Sequence, residues 1–109
     1  MQAPIFEILT WRSATSVADD EMINTMAQFG EVVKGLPGFI HQSLYKNADD
    51  QWVCIYFWQR EEDAHGSNQA VANLPIFGEL MSLIKKDSIT MEVLSALQSN
   101  SGVSFPLQV

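Results

Sequence analysis

The run Val53-Cys54-Ile55-Tyr56-Phe57-Trp58 is apolar or aromatic at every position, and it gives way to Arg60-Glu61-Glu62-Asp63 after a single glutamine. A strand with one face on a core and the other in water alternates apolar with polar residues. This one does not alternate, so both its faces need cover. The chain has 109 residues, the length of one domain, and few elements remain to supply a second layer.

The rest of the chain fixes what surrounds that strand. "IFEILTWR" (5–12) follows Pro4 and is strand-like, with apolar residues at both parities. In "SVADDEMINTMAQFGEVVKGLPG", Met22, Met26, Phe29 and Val33 recur at helical spacing. Ser16 is the expected N-cap, Asp19, Asp20 and Glu21 complement the helix dipole, and Gly35 with Pro37 ends the helix. "FIHQSLYK" and "WVCIYFWQ" flank the polar cluster "NADD" and predict an antiparallel hairpin. "REEDAHGSNQAVANLP" opens with acids suited to a helix start, although Gly66 costs about 1 kcal/mol inside a helix. Pro75 suits the first turn of a further short helix whose Phe77, Leu80 and Ile84 share a face, with Lys85 and Lys86 at its C-terminal end. "SITMEVLSAL" supplies the last strand.

The order β-α-β-β-α-β is the ferredoxin-like α+β arrangement, with both main helices on one face of a four-stranded sheet. The domain is expected over 1–97. The tail, 98–109, keeps Val103, Phe105, Leu107 and Val109 in alternation and is expected to lie as an arm on a partner subunit.

Pairing Lys46 with Gln51 across the turn puts Tyr45 opposite Trp52, Ser43 opposite Cys54, His41 opposite Tyr56 and Phe39 opposite Trp58. In this register one face mixes rings, an imidazole, a thiol and hydroxyls, as a small-molecule pocket does. The other face carries Ile40, Leu44, Val53, Ile55 and Phe57, and the expected cover for it is the same sheet of a second chain. A homodimer is therefore expected.

Thirteen acidic against six basic residues give a net charge of −7, which disfavours nucleic acid and anionic membrane surfaces as partners. There is no apolar run of membrane-spanning length and no signal-peptide pattern, which points to the cytoplasm. Cys54 is the sole cysteine and reads as an inert core thiol. Two histidines without metal-ligand spacing give no metal signature, and Gly35 and Gly38 form no dinucleotide fingerprint.

The segment "GLPGFIHQSLYKNADDQWVCIYFWQREEDAH" resembles the antibiotic biosynthesis monooxygenase family of the dimeric α+β barrel superfamily. The resemblance rests on "LPGF" before the second strand, a hairpin that ends in Trp58, and "EDA" at the following helix start. It implies two ferredoxin-like subunits sharing a barrel, each with a ligand cleft between sheet and helices. It also implies one of several tasks, among them cofactor-independent oxygenation of aromatic polyketides and quinols, haem degradation and breakdown of small signalling molecules. In the oxygenase members the electron-rich substrate supplies the electrons to oxygen, and neither metal nor flavin is required.

Trp58 matches the family's tryptophan and is expected to wall the pocket. His65 is a candidate base because imidazole titrates near neutrality. Asn68 stands where the haem-degrading members have their axial histidine, which argues against haem, and it offers hydrogen bonds from the helix instead. His41, Tyr45 and Tyr56 are the expected strand-side ligand contacts. The reading is a cofactor-independent monooxygenase on a small aromatic or quinol-like metabolite, its catalytic residues not fixed by the sequence and Trp58, His65 and Asn68 the candidates. A non-catalytic small-molecule-binding or stress-related dimeric module is its alternative, with haem binding or degradation ranked third.

Overall fold

The computed structural model describes residues 3–100 and 102. Its elements are β1 (Ile5–Trp11), α1 (Asp19–Val33), β2 (Phe39–Lys46), β3 (Trp52–Trp58), α2 (Glu61–Val71), α3 (Pro75–Ser82) and β4 (Thr90–Leu94). The strands form one antiparallel sheet in the order β2-β3-β1-β4. That is the ferredoxin-like topology expected of the sequence, with α3 added before the last strand. No helix among the described residues is long and apolar enough to cross a membrane. The alternating tail at 103–109 lies outside the described residues.

The helices share one side of the sheet. Met22, Met26, Phe29 and Val33 of α1, Ala64 and Val71 of α2 and Leu80 of α3 pack with Trp52, Cys54, Tyr56 and Trp58 of β3 and Trp11 of β1. Each buried Met or Phe contributes roughly 1.5–3 kcal/mol, so the α1 stripe alone anchors that helix. The N-terminus of α1 falls two residues later than Ser16, which sits in a turn at φ 68. Ala18 is the N-cap residue, and its backbone N–H donates to the Glu21 carboxylate at 3.3 Å. The left-handed glycine after α1 is Gly38 (φ 78) rather than Gly35. A Cβ at Gly38 would meet the Asp63 carboxylate, so this position is closed to other residues twice over. α3 ends at Ser82, which leaves Lys85 and Lys86 beyond its last turn.

The hairpin register corrects the expected one. Lys46 pairs with Trp52, so the loop spans five residues, 47–51, instead of four. Asn47 accounts for the extra residue. Its side-chain oxygen accepts from the backbone N–H groups of Asp49 and Gln51, each at 3.0 Å, and Asp50 turns the chain at φ 63. A shift of one residue exchanges the faces of a strand relative to its neighbour. Gln42 and Leu44 therefore join Tyr56 and Cys54 on the helix side, while His41, Ser43 and Tyr45 join Phe57, Ile55 and Val53 on the outer side. Leu44, expected on the outer face, packs against the core. A β-bulge at Ile40 then restores the pairing of Phe39 with Trp58, whose rings meet edge to face at 5.9 Å.

Two side chains, Lys46 and Trp52, fix this register at the turn end of the hairpin. Lys46 lies over the Trp52 ring, 4.5 Å from its centroid, and pairs with Asp19 at 2.8 Å and Asp50 at 3.1 Å. The outer face remains half-exposed through Phe6, Ile8, Val53, Ile55 and Phe57.

Candidate functional site

Between the sheet and its helices lies a cavity of about 80 Å³. Glu7, Cys54, Tyr56 and Trp58 form its floor, and α2 contributes Ser67 and Asn68. Apolar side chains of α1 and α3 close the other walls, while Met81 and Ile89, each more than a third exposed, stand at its rim.

Glu7 is the side chain that composition alone would not place there. It is 2% exposed and lies mid-strand, opposite Tyr56 and Val93 on the neighbouring strands. The Trp58 indole Nε1–H donates to Glu7 Oε1 at 2.9 Å. Burial pushes the Glu7 carboxyl above the usual glutamate range, while the Trp58 donor and the charge of His65 pull it back. A carboxyl so poised can take a proton at neutral pH more effectively than a solvated one.

The surrounding groups are neutral. Burial holds the Tyr56 phenol protonated well above its ordinary range, and its ring stacks on Trp58 at 5.8 Å and 23°. Burial likewise pushes the Cys54 thiol up to about 11, against the opposing effect of Gln42, whose amide donates to Sγ at 3.5 Å. Cys54 is thus a thiol rather than a nucleophilic thiolate. Ser67 donates to its own helix at Ala64 O, 2.7 Å away, and Asn68 Nδ2 donates to Met91 Sδ at 3.8 Å. The amide-to-thioether contact is too weak to bar Asn68 from a ligand.

The sequence-predicted residues divide cleanly. Trp58, Tyr56 and Asn68 line the cavity. His65 points outward from α2, where it pairs with Glu61 at 3.4 Å and acts on Glu7 only through its charge. His41 and Tyr45 do not line this cavity, because the one-residue register shift places them on the outer face with Phe57 and Val53. His41 rests against the Phe57 ring at 6.0 Å, and Tyr45 is 52% exposed. Glu7 and Trp11 also line the cavity, and neither was expected there. The available signal was parity, since Glu7 shares its strand face with Leu9 and Trp11 and interrupts an otherwise apolar row. Among the described residues no three His, Cys, Asp or Glu side chains gather to hold a metal ion.

No family model matches the sequence, and no curated protein matches it. Solved structures do. SnoaB from Streptomyces nogalater, a cofactor-independent oxygenase, superposes with a TM-score of 0.74 at 17% identity, over 88% of this chain and 95% of its own. A candidate antibiotic biosynthesis monooxygenase from Nitrosomonas europaea gives 0.72 at 12% identity, over 93% and 97%. Another from Bordetella bronchiseptica gives 0.75 at 10% identity, over 89% and 100%. The chain therefore has the ferredoxin-like fold of these solved antibiotic biosynthesis monooxygenase structures.

Proposed function

We propose that this chain is a cofactor-independent oxygenase of a small aromatic or quinol-like metabolite, with Glu7 as proton acceptor in the cavity beneath α2. The observation that carries this reading is a desolvated carboxylate, held by the Trp58 indole, inside an aromatic-lined space. The likeness to SnoaB adds support at the level of fold.

Glu7 takes a proton from an acidic O–H or C–H of the substrate, and the electron pair stays on the ring system as an enolate or phenolate. That anion supplies electrons to dioxygen, a carbon–oxygen bond forms, and the peroxide anion takes a proton. Where the attacked carbon still bears a hydrogen, loss of water breaks the O–O bond and leaves a carbonyl. One oxygen atom then enters the product and the other leaves as water. Tyr56 and Asn68 are neutral donors able to hold the substrate's oxygens, and Trp58 supplies a planar wall.

The same reading makes the protein a homodimer through the outer face of the sheet. Phe6, Ile8, Val53, Ile55 and Phe57 form a continuous half-exposed apolar surface, which a second copy would cover. Ile40 at the bulge borders that surface, and Leu44 is not part of it.

The cavity volume constrains both this reading and its rival, a binding module without turnover. An engineered cavity that holds benzene has about 150 Å³, so a ring enters here only if the walls yield. Met26 and Met81, unbranched and adaptable, are the side chains suited to yielding. Oxygen-electrode measurements with quinols and anthrones separate the two readings. Uptake with at least one compound supports the oxygenase, and binding without uptake across the panel supports the module.

A further inference from the structure

Three tryptophans lie on the helix side of the sheet, each at most 3% exposed. Trp58 Nε1–H donates to Glu7, and Trp52 Nε1–H donates to Ser13 Oγ at 2.8 Å. Trp11 differs. Its Nε1 is buried and has no hydrogen-bond partner among the described residues. An unmade hydrogen bond at a buried donor is destabilising, and native proteins leave few of them.

Trp11 also lines the cavity. It shares a strand face with Glu7, four residues away and with Leu9 between them, which separates their Cα atoms by roughly 13 Å. The two side chains thus mark opposite ends of one apolar floor, an acceptor at one end and an idle donor at the other. We infer that Trp11 is the second anchor of the site, its indole N–H donating to a carbonyl oxygen at one end of a planar ligand whose other end presents an acidic hydrogen to Glu7. The ligand class is an aromatic hydroxy-carbonyl compound. A second hydroxyl in place of the carbonyl fits less well, because its own hydrogen would be left without a partner among apolar walls.

This assignment rests on the proposal that the cavity takes a small aromatic molecule, and its test needs no turnover. Binding of 4-hydroxyacetophenone, 4-ethylphenol and acetophenone is measured by calorimetry with the whole chain. The wild type is expected to bind 4-hydroxyacetophenone about fivefold or more tighter than 4-ethylphenol, the effect of one hydrogen bond. In Trp11→Phe that advantage disappears, while the affinity for 4-ethylphenol changes less than about twofold. If Trp11→Phe does not fold, benzothienylalanine at position 11 keeps the ring volume and removes the N–H. Equal affinity of the wild type for the two phenols overturns the inference, as does an advantage that survives removal of the N–H or the failure of all three probes to bind. Glu7→Gln tests the other end separately. If it leaves phenol binding unchanged while the Trp11 effect holds, Glu7 loses its role as proton acceptor and Trp11 keeps its own. Binding as expected without oxygen uptake contradicts the oxygenase alone.

Discussion

The Trp58 indole and the Glu7 carboxylate, 51 residues apart in sequence, meet at 2.9 Å on adjacent strands beneath the helices. A hydrogen bond to a charged group contributes about 1.5–3 kcal/mol, and a buried acceptor that loses its donor is destabilising. Trp58→Phe should therefore lower unfolding free energy by about 2–3 kcal/mol, beyond the small change in ring volume. Adding Glu7→Leu to Trp58→Phe should recover part of the loss, because no buried carboxyl is then left unpaired. Urea denaturation of the two single variants and the double variant measures the coupling, and strict additivity would show the bond to be idle.

Glu7 also gives stability a pH dependence of known sign. Its folded-state pKa is raised, with desolvation as the leading cause. Below the ordinary glutamate range, both folded and unfolded chains hold the proton. Between the ordinary and the raised value the unfolded chain ionises first, so stability falls as pH rises, and above the raised value the loss is complete. Glu7→Gln should flatten this part of the urea-midpoint profile and exceed the wild type on its alkaline side. Parallel profiles would mean that Glu7 is not desolvated.

Cys54 should be nearly silent toward thiol reagents. It is 1% exposed, and its thiol is pushed up to about 11. At pH 8 the native protein is expected to react with a disulfide reagent far more slowly than the urea-unfolded chain. Equal rates would indicate an open or reactive site.

The hairpin register separates core from proposed dimer surface at two neighbouring leucine-sized residues. Ile55→Lys, on the outer face, should yield monomers by sedimentation at micromolar concentration while the fold persists. Leu44→Ala, on the core face, should cost about 2 kcal/mol of stability and leave the sedimentation coefficient unchanged. A wild type that is monomeric under these conditions rules out the dimer.

The element order was legible because period and punctuation agree locally: a 3.6-residue stripe in α1, apolar runs in the strands, and Pro75 opening α3. Register was not. It depended on the Asx geometry of Asn47, which adds one residue to the hairpin loop, and on the bulge at Ile40; both are side-chain or backbone details that hydrophobic pattern does not encode. That one residue places His41 and Tyr45 away from the cavity and Leu44 against the core. Trp58, Tyr56 and Asn68 kept their places because within-strand parity and helix spacing do not depend on pairing. Glu7 stayed hidden for a different reason. A single glutamate in a strand reads as solvent-facing; its parity with Leu9 and Trp11 points inward, and the Trp58 donor accounts for a carboxyl held there.

The most direct test of the central claim, that Glu7 accepts the substrate's proton in this cavity, is the rate of oxygen uptake by wild type and Glu7→Gln on the same hydroxy-aromatic carbonyl compound across pH. General-base catalysis contributes about 10²–10⁴-fold. Glu7→Gln should lower the rate by at least about a hundredfold and abolish the limb that rises with ionisation of the carboxyl. Equal rates and equal profiles for the two proteins, with both folded, would contradict it.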